Sequence, residues 1–129
     1  MFLQLAHTKL EVFQVSKKFV LECYKQTKFF PGDERYAMVQ QIRRAALSVH
    51  LNVAEGCSRK SEAERKRFFE MSRGSLIEID AAIDIAVDLN YCLTENLKVF
   101  GILIIETFKQ LSAFISVLIL VKDRQLVMI

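Results

Sequence analysis

Four glycines and a single proline in 129 residues leave this chain almost no turn formers. A sheet protein needs such residues every few positions, so a chain this poor in breakers must fold as a few long helices. At 52% hydrophobic and 26% charged it is globular in composition, and it is long enough to bury a core without staples. Cys23, Cys57 and Cys92 are an odd set with no CxxC or neighbouring His. They suit neither a disulfide framework nor a zinc site, and they fit a reducing cytosol.

Start signals divide the chain into four. Thr8 with Glu11 reads as a capping box, and Ser61-Glu62-Ala63-Glu64 as a second. Pro31-Gly32-Asp33 forms a turn with Asp33 as N-cap and Glu34 against the positive end of the helix dipole. Thr94-Glu95 supplies the fourth start, and Gly56 is placed to end the second helix in a left-handed conformation. The expected helices cover about 9–28, 34–55, 62–92 and 95–123. Short connections between helices of this length force antiparallel neighbours, giving an all-α, antiparallel up-and-down four-helix bundle with residues 1–129 as one domain.

Apolar stripes at spacings of three and four support that division. They comprise Val12, Phe13, Phe19, Val20 and Cys23; Met38, Ile42, Ala45, Ala46, Val49 and Val53; and Phe68, Ser72, Leu76, Ile79, Ala82, Ile83 and Ala86. They read as core, and no cofactor box or metal site is expected. The fourth helix is apolar on more than one side: Phe100, Ile104, Leu111, Ile115 and Leu118 on one, and Val99, Val117 and Leu120 on another. Glu106, Lys109 and Gln110 interrupt it, and Leu111–Val121 alone is too short to span a bilayer, so no membrane association is expected. The start of the chain lacks a basic lead and a long apolar run, which points to a cytoplasmic protein. Leu47, Leu51 and Ile77 lie off the core stripes. A monomeric bundle cannot bury all of these, which predicts a homo-oligomer.

Two polar clusters stand out. Gln41, Arg44, Ser48, Asn52 and Glu55 fall within an arc of roughly 80° on the second helix. Such a seam needs partners, and Glu78 on the third helix is the expected bidentate partner of Arg44. Ser48, Asn52 and Ser75 are expected to fill the remaining bonds, and Gly74 and Ala81 to let a neighbouring helix approach. A structural role in fixing register is preferred over a ligand site. The second cluster, Arg59, Lys60, Arg65, Lys66 and Arg67, sets five cations against Glu62 and Glu64. Cations at a helix start oppose the dipole and do not serve helix stability. Repeated around an oligomer they would form a basic collar for RNA or DNA.

Phe30-Pro31, Glu34, Gln41-Ile42-Arg43-Arg44-Ala45-Ala46, Ser48, Asn52, Ala54-Glu55-Gly56, Phe68 or Phe69, Gly74-Ser75 and Glu78 together resemble the four-helix-bundle family of 23S rRNA intervening-sequence proteins. The outer helices match only in length and apolar character. Ser72 and Arg73 depart from the small and apolar residues usual before Gly-Ser, and Leu51 is bulkier than the pattern. The resemblance implies a ring, a pentamer, with no enzymatic activity. Related accessory variability proteins of diversity-generating retroelements form basic barrels that bind nucleic acid and a reverse transcriptase. Three functions stay open: a nucleic-acid-binding oligomer, a protein scaffold docking a protein partner, and a HEPN-like ribonuclease using His50 with Arg44 or Arg43. A di-iron bundle is excluded, since neither His7 nor His50 follows a Glu at three residues.

Overall fold

The computed structural model describes residues 1–128, with side chains through Val117. Four helices carry the fold: α1 (Glu11–Thr27), α2 (Met38–Ser58), α3 (Glu62–Asp88) and α4 (Lys98–Met128), with no strand among the described residues. Short 3-10 turns at Ala6–Lys9, Gly32–Glu34 and Thr94–Leu97 precede α1, α2 and α4. Each helix packs on its neighbours in sequence, and α1 closes the square against α4. The arrangement is the expected helical bundle.

The expected stripes form the core. Val12, Phe19 and Cys23 of α1, Ile42, Ala46, Val49 and Val53 of α2, Phe69, Leu76 and Ile79 of α3, and Phe100, Leu111 and Ile115 of α4 are all buried. Phe69, not Phe68, is the core aromatic of that pair. The four buried hydroxyls among the described residues are satisfied internally: Ser72 donates to the Val49 carbonyl (2.7 Å), Thr107 to that of Leu103 (2.7 Å), Thr27 to that of Cys23 (2.8 Å), and Ser16 lies 3.0 Å from that of Phe13. Leu118 and Leu120 lie outside the described side chains.

Helix ends depart from expectation in informative ways. Ser61 caps α3, accepting from the Glu64 amide at 3.1 Å. Thr8 does not cap α1; it sits in a 3-10 turn and donates to the Leu5 carbonyl (2.7 Å), while Leu10 holds the N-cap position without a side-chain bond. Asp33 does not cap α2 either. A 3-10 turn delays the helix to Met38, whose amide donates to the Glu34 carboxylate (3.2 Å). Glu34 therefore does the work assigned to its neighbour. Thr94 likewise opens a 3-10 turn, and α4 starts at Lys98.

Gly56 does not terminate α2, which runs on to Ser58 with no glycine at positive φ. Its role is packing: a Cβ there would lie 2.6 Å from the Phe69 ring. The left-handed residue is Asn90 (φ 61°), after α3. The Tyr91 amide reaches back to the Ala86 carbonyl and the Asn90 amide to that of Val87, which is a Schellman closure.

Thr94–Val117 is long and apolar enough to cross a membrane by length and composition alone. That window is longer than the run considered from sequence, because it spans the interrupting charges. Phe100, Ile104, Thr107, Leu111 and Ile115 within it are buried against the other helices.

Candidate functional site

The α2–α3 seam is a set of separate contacts. Ser75 donates to Ser48 (3.0 Å), and Asn52 donates to the Ser48 hydroxyl (2.9 Å) and carbonyl (2.8 Å). One turn pair away, Gln41 donates to the Glu78 carboxylate. Arg44 does not pair with Glu78. It points outward, where its guanidinium meets the Gln40 side-chain oxygen at 3.1 Å. The reason is angular: Gln41 and Ser48 face α3, whereas Arg44 lies farther round the helix, and the shorter amide spans the gap. Glu55 turns away from the seam and pairs with Arg59 at 3.0 Å. Gly74 and Ala81 do not face α2; both are exposed, and a Cβ on Gly74 would meet nothing.

From sequence, Arg43 stands out only within the family run and as an alternative to Arg44 beside His50. It is the residue that clamps α1 to α2. Its guanidinium stacks 4.7 Å from the Tyr24 ring centre, while Nε donates to Thr27 Oγ1 (2.9 Å) and Nη2 to the Tyr24 carbonyl (3.3 Å). Two turns on, His50 is half-buried between Phe13 (ring centres 4.4 Å apart) and Ser16. The Ser16 hydroxyl bridges the Phe13 carbonyl (3.0 Å) and His50 Nδ1 (2.7 Å). Burial lowers the His50 pKa, with Lys17 and His7 adding repulsion. Arg43 and His50 are thus each committed to α1, about 10 Å apart along the axis. They form no joint site.

Two of the five cations in the basic cluster pair with carboxylates, and a third bonds to backbone carbonyls. Arg59 pairs with Glu55 and lies 4.8 Å over the Phe68 ring. Arg65 donates to the carbonyls of Gly56 (3.3 Å) and Cys57 (3.4 Å), closing the C-terminal end of α2. Lys66 approaches Glu70 at 3.7 Å. Lys60 and Arg67 have no such contact among the described residues.

Chemistry-bearing groups converge nowhere else among the described residues, and no three His, Cys, Asp or Glu side chains come together. Burial pushes the Cys23 thiol up to about 12 and raises Cys57 and Cys92, so all three stay protonated near neutrality. An open groove of about 560 Å³ runs between α3 and α4, lined by Leu76, Ile77, Ile104, Ile105 and Phe108 with Asp80 and Lys109. It is apolar, with one charge of each sign. Arg73 bridges the same helices, donating to Ser112 (3.3 Å).

Two sets of exposed apolar side chains on α2, α3 and α4 stand out among the described residues. One set is Leu47 and Leu51 of α2 with Met71 and Ile85 of α3, the last two about 21 Å apart along the helix axis with Gly74, Glu78 and Ala81 between them in sequence. The other joins Val99, Ile102 and Ile105 of α4 to Ile77 at the groove.

No curated protein matches the chain. Residues 8–113 match the family model described as 23S rRNA-intervening sequence protein, which spans α1, α2, α3 and half of α4. With the helical bundle, the Gln41–Glu78 and Ser48–Asn52–Ser75 contacts and this match in hand, the chain belongs to the 23S rRNA-intervening sequence protein family.

Proposed function

We propose that this is a single-domain, cytoplasmic, non-enzymatic protein that works by assembling with copies of itself into a closed ring, a pentamer, and presenting that ring as a scaffold. The observation that carries the reading is the two sets of exposed apolar side chains, Leu47–Leu51–Met71–Ile85 and Ile77–Val99–Ile102–Ile105. Exposed large apolar side chains in such numbers mark protein contact. A ring of odd number cannot be built from one self-complementary patch; it needs two different patches that meet head to tail. Gly74 and Ala81 add a smooth strip on α3 where a neighbouring helix can come close. The number five rests on the family resemblance, not on the geometry.

The absence of enzymatic chemistry is supported by how the reactive groups are spent. His50 is bonded to Ser16, Arg43 to Thr27, and the thiols are held protonated by burial. The basic cluster at 59–67 contributes less than its composition suggests, since three of its five cations have intrachain partners. A protein scaffold is therefore favoured over a nucleic-acid collar at that site.

Light scattering on a sizing column tests the reading. A mass about five times the 14.9 kDa chain is expected. A monomer at tens of micromolar would remove both the scaffold and the ring.

A further inference from the structure

We propose a binding site for single-stranded nucleic acid at the end of the bundle away from the 59–67 cluster, formed by the outer face of α1 and the α1–α2 connection. The proposal is independent of how many copies assemble.

The first component is a track of free cations. Lys17, Lys18, Lys25 and Lys28 fall within roughly 100° of arc on α1. All four are exposed, as is Arg35 in the connection, and none of the five forms an ion pair among the described residues. The helix offers no compensating carboxylate on this arc: Glu22 is buried and bonded to Gln26 (2.8 Å), and Glu11 lies at the far end. From Lys17 to Lys28 the track covers about 16 Å, enough for several phosphates.

The second component is independent of charge. Phe29 is 80% exposed and Tyr36 81% exposed, on the two sides of the Pro31–Glu34 turn at the end of the lysine track. Neither joins an aromatic pair, while the adjacent Phe30 is buried against Tyr91. Lys28 approaches the Phe29 ring at 5.9 Å, so the ring and a cation sit together. The connection is anchored from beneath: Glu34 accepts from the Met38 amide and from Tyr91 (3.2 Å). Asp33 is the one exposed carboxylate in the connection without a partner among the described residues.

Exposed aromatic rings interleaved with cations suit unpaired bases, whose faces stack while lysines follow the backbone. A duplex would offer only its phosphates to this surface. The cluster at 59–67 lacks this combination, since Phe68 is already covered by Arg59. The inferred ligand is accordingly a single strand, taken without strict sequence preference and released by salt.

Fluorescence anisotropy with a labelled 20-nucleotide mixed-sequence RNA, the same sequence as a duplex, and the DNA equivalents would test this. The single strands should bind more tightly than the duplexes, and affinity should fall steeply as salt rises from 50 to 200 mM. Phe29→Ala and Tyr36→Ala should each weaken single-strand binding ~10-fold and leave duplex binding nearly unchanged. Lys25→Gln with Lys28→Gln should flatten the salt dependence. These side chains are exposed, so circular dichroism should report an unaltered fold. Three results would overturn the proposal: no binding by the unaltered protein, loss of binding in Lys60→Gln with Arg67→Gln but not in the α1 variants, or a changed oligomer mass with unchanged affinity in Phe29→Ala with Tyr36→Ala. The last would assign the two rings to a protein contact.

Discussion

His50 shows how a residue that looks reactive in sequence becomes structural by placement. Its Nδ1 is hydrogen-bonded to Ser16 and its ring packs on Phe13. Folding lowers its pKa below the ordinary 6.5 because charge is costly in that site. The unfolded chain therefore binds the proton more readily, and stability is full above about pH 6.5 and declines as pH falls from there through the lower folded value. Urea melts between pH 7.5 and 5 should show this decline, and His50→Gln, which keeps a hydrogen-bonding group near Ser16 but does not titrate, should reduce it. At the adjacent pair, Arg44→Ala should change stability by less than about 0.5 kcal/mol because it has no buried partner. Arg43→Ala should cost roughly 1–3 kcal/mol, since it uncovers Tyr24 and strips Thr27 of its donor. Equal costs for the two would refute this division. Gly56→Ala should also destabilise, by about 1–3 kcal/mol, by driving a methyl into the buried Phe69 ring. Phe69→Leu in the same chain should recover part of that loss in a double-mutant cycle.

At the level of elements, local capping chemistry decides where α3 begins and ends. Ser61 meets the Glu64 amide, so Ser61→Ala should cost about 1 kcal/mol, and Ser61→Asp should not. Asn90 takes φ 61° to close the other end, so Asn90→Ala should cost about 1–2 kcal/mol while Asn90→Gly stays near neutral. Chemical denaturation of the four cap substitutions gives the comparison directly. The starts of α1, α2 and α4 were not legible in the same way. Each is preceded by a 3-10 turn that holds the residue expected as cap, and before α2 it is the Glu34 carboxylate that takes the Met38 amide. Thr8, Asp33 and Thr94 are good cap residues by type, and the tighter turn displaces them from the cap position.

For the whole molecule, the two apolar faces make a prediction specific to a head-to-tail ring. Gly74→Arg should disable the α2–α3 face, and Ile102→Glu the α4 face, each reducing the assembly to monomer. Mixed in equal amounts, the two variants should form a dimer and stop there, because each retains the one face the other has lost. Analytical ultracentrifugation of the mixture would read this mass. A mixture that stays monomeric would mean that the two faces do not meet each other. The charge distribution also belongs to this scale. The cations at 59–67 are the densest run in the sequence, yet the fold gives Arg59, Arg65 and Lys66 partners from α2 and α3. The dispersed lysines of α1 and its C-cap align on one face and form no ion pair among the described residues.

The sequence by itself determined the four-helix architecture, because scarce turn residues and stripes of period 3.6 admit little else, and it determined which face of each helix is core. It also supplied the family, through a run concentrated on α2 and α3. Only the tertiary structure decided which polar residues meet. Gln41, not Arg44, reaches Glu78, because partner choice depends on a few tens of degrees of rotation and on side-chain length, which periodicity does not resolve. The same holds for Gly56: its spacing before a polar stretch suggests a helix end, but its use is to admit the ring of Phe69 from another helix. Whether a cation is free or spent is likewise a property of its neighbours in space, and neighbours across helices are what the linear order does not contain.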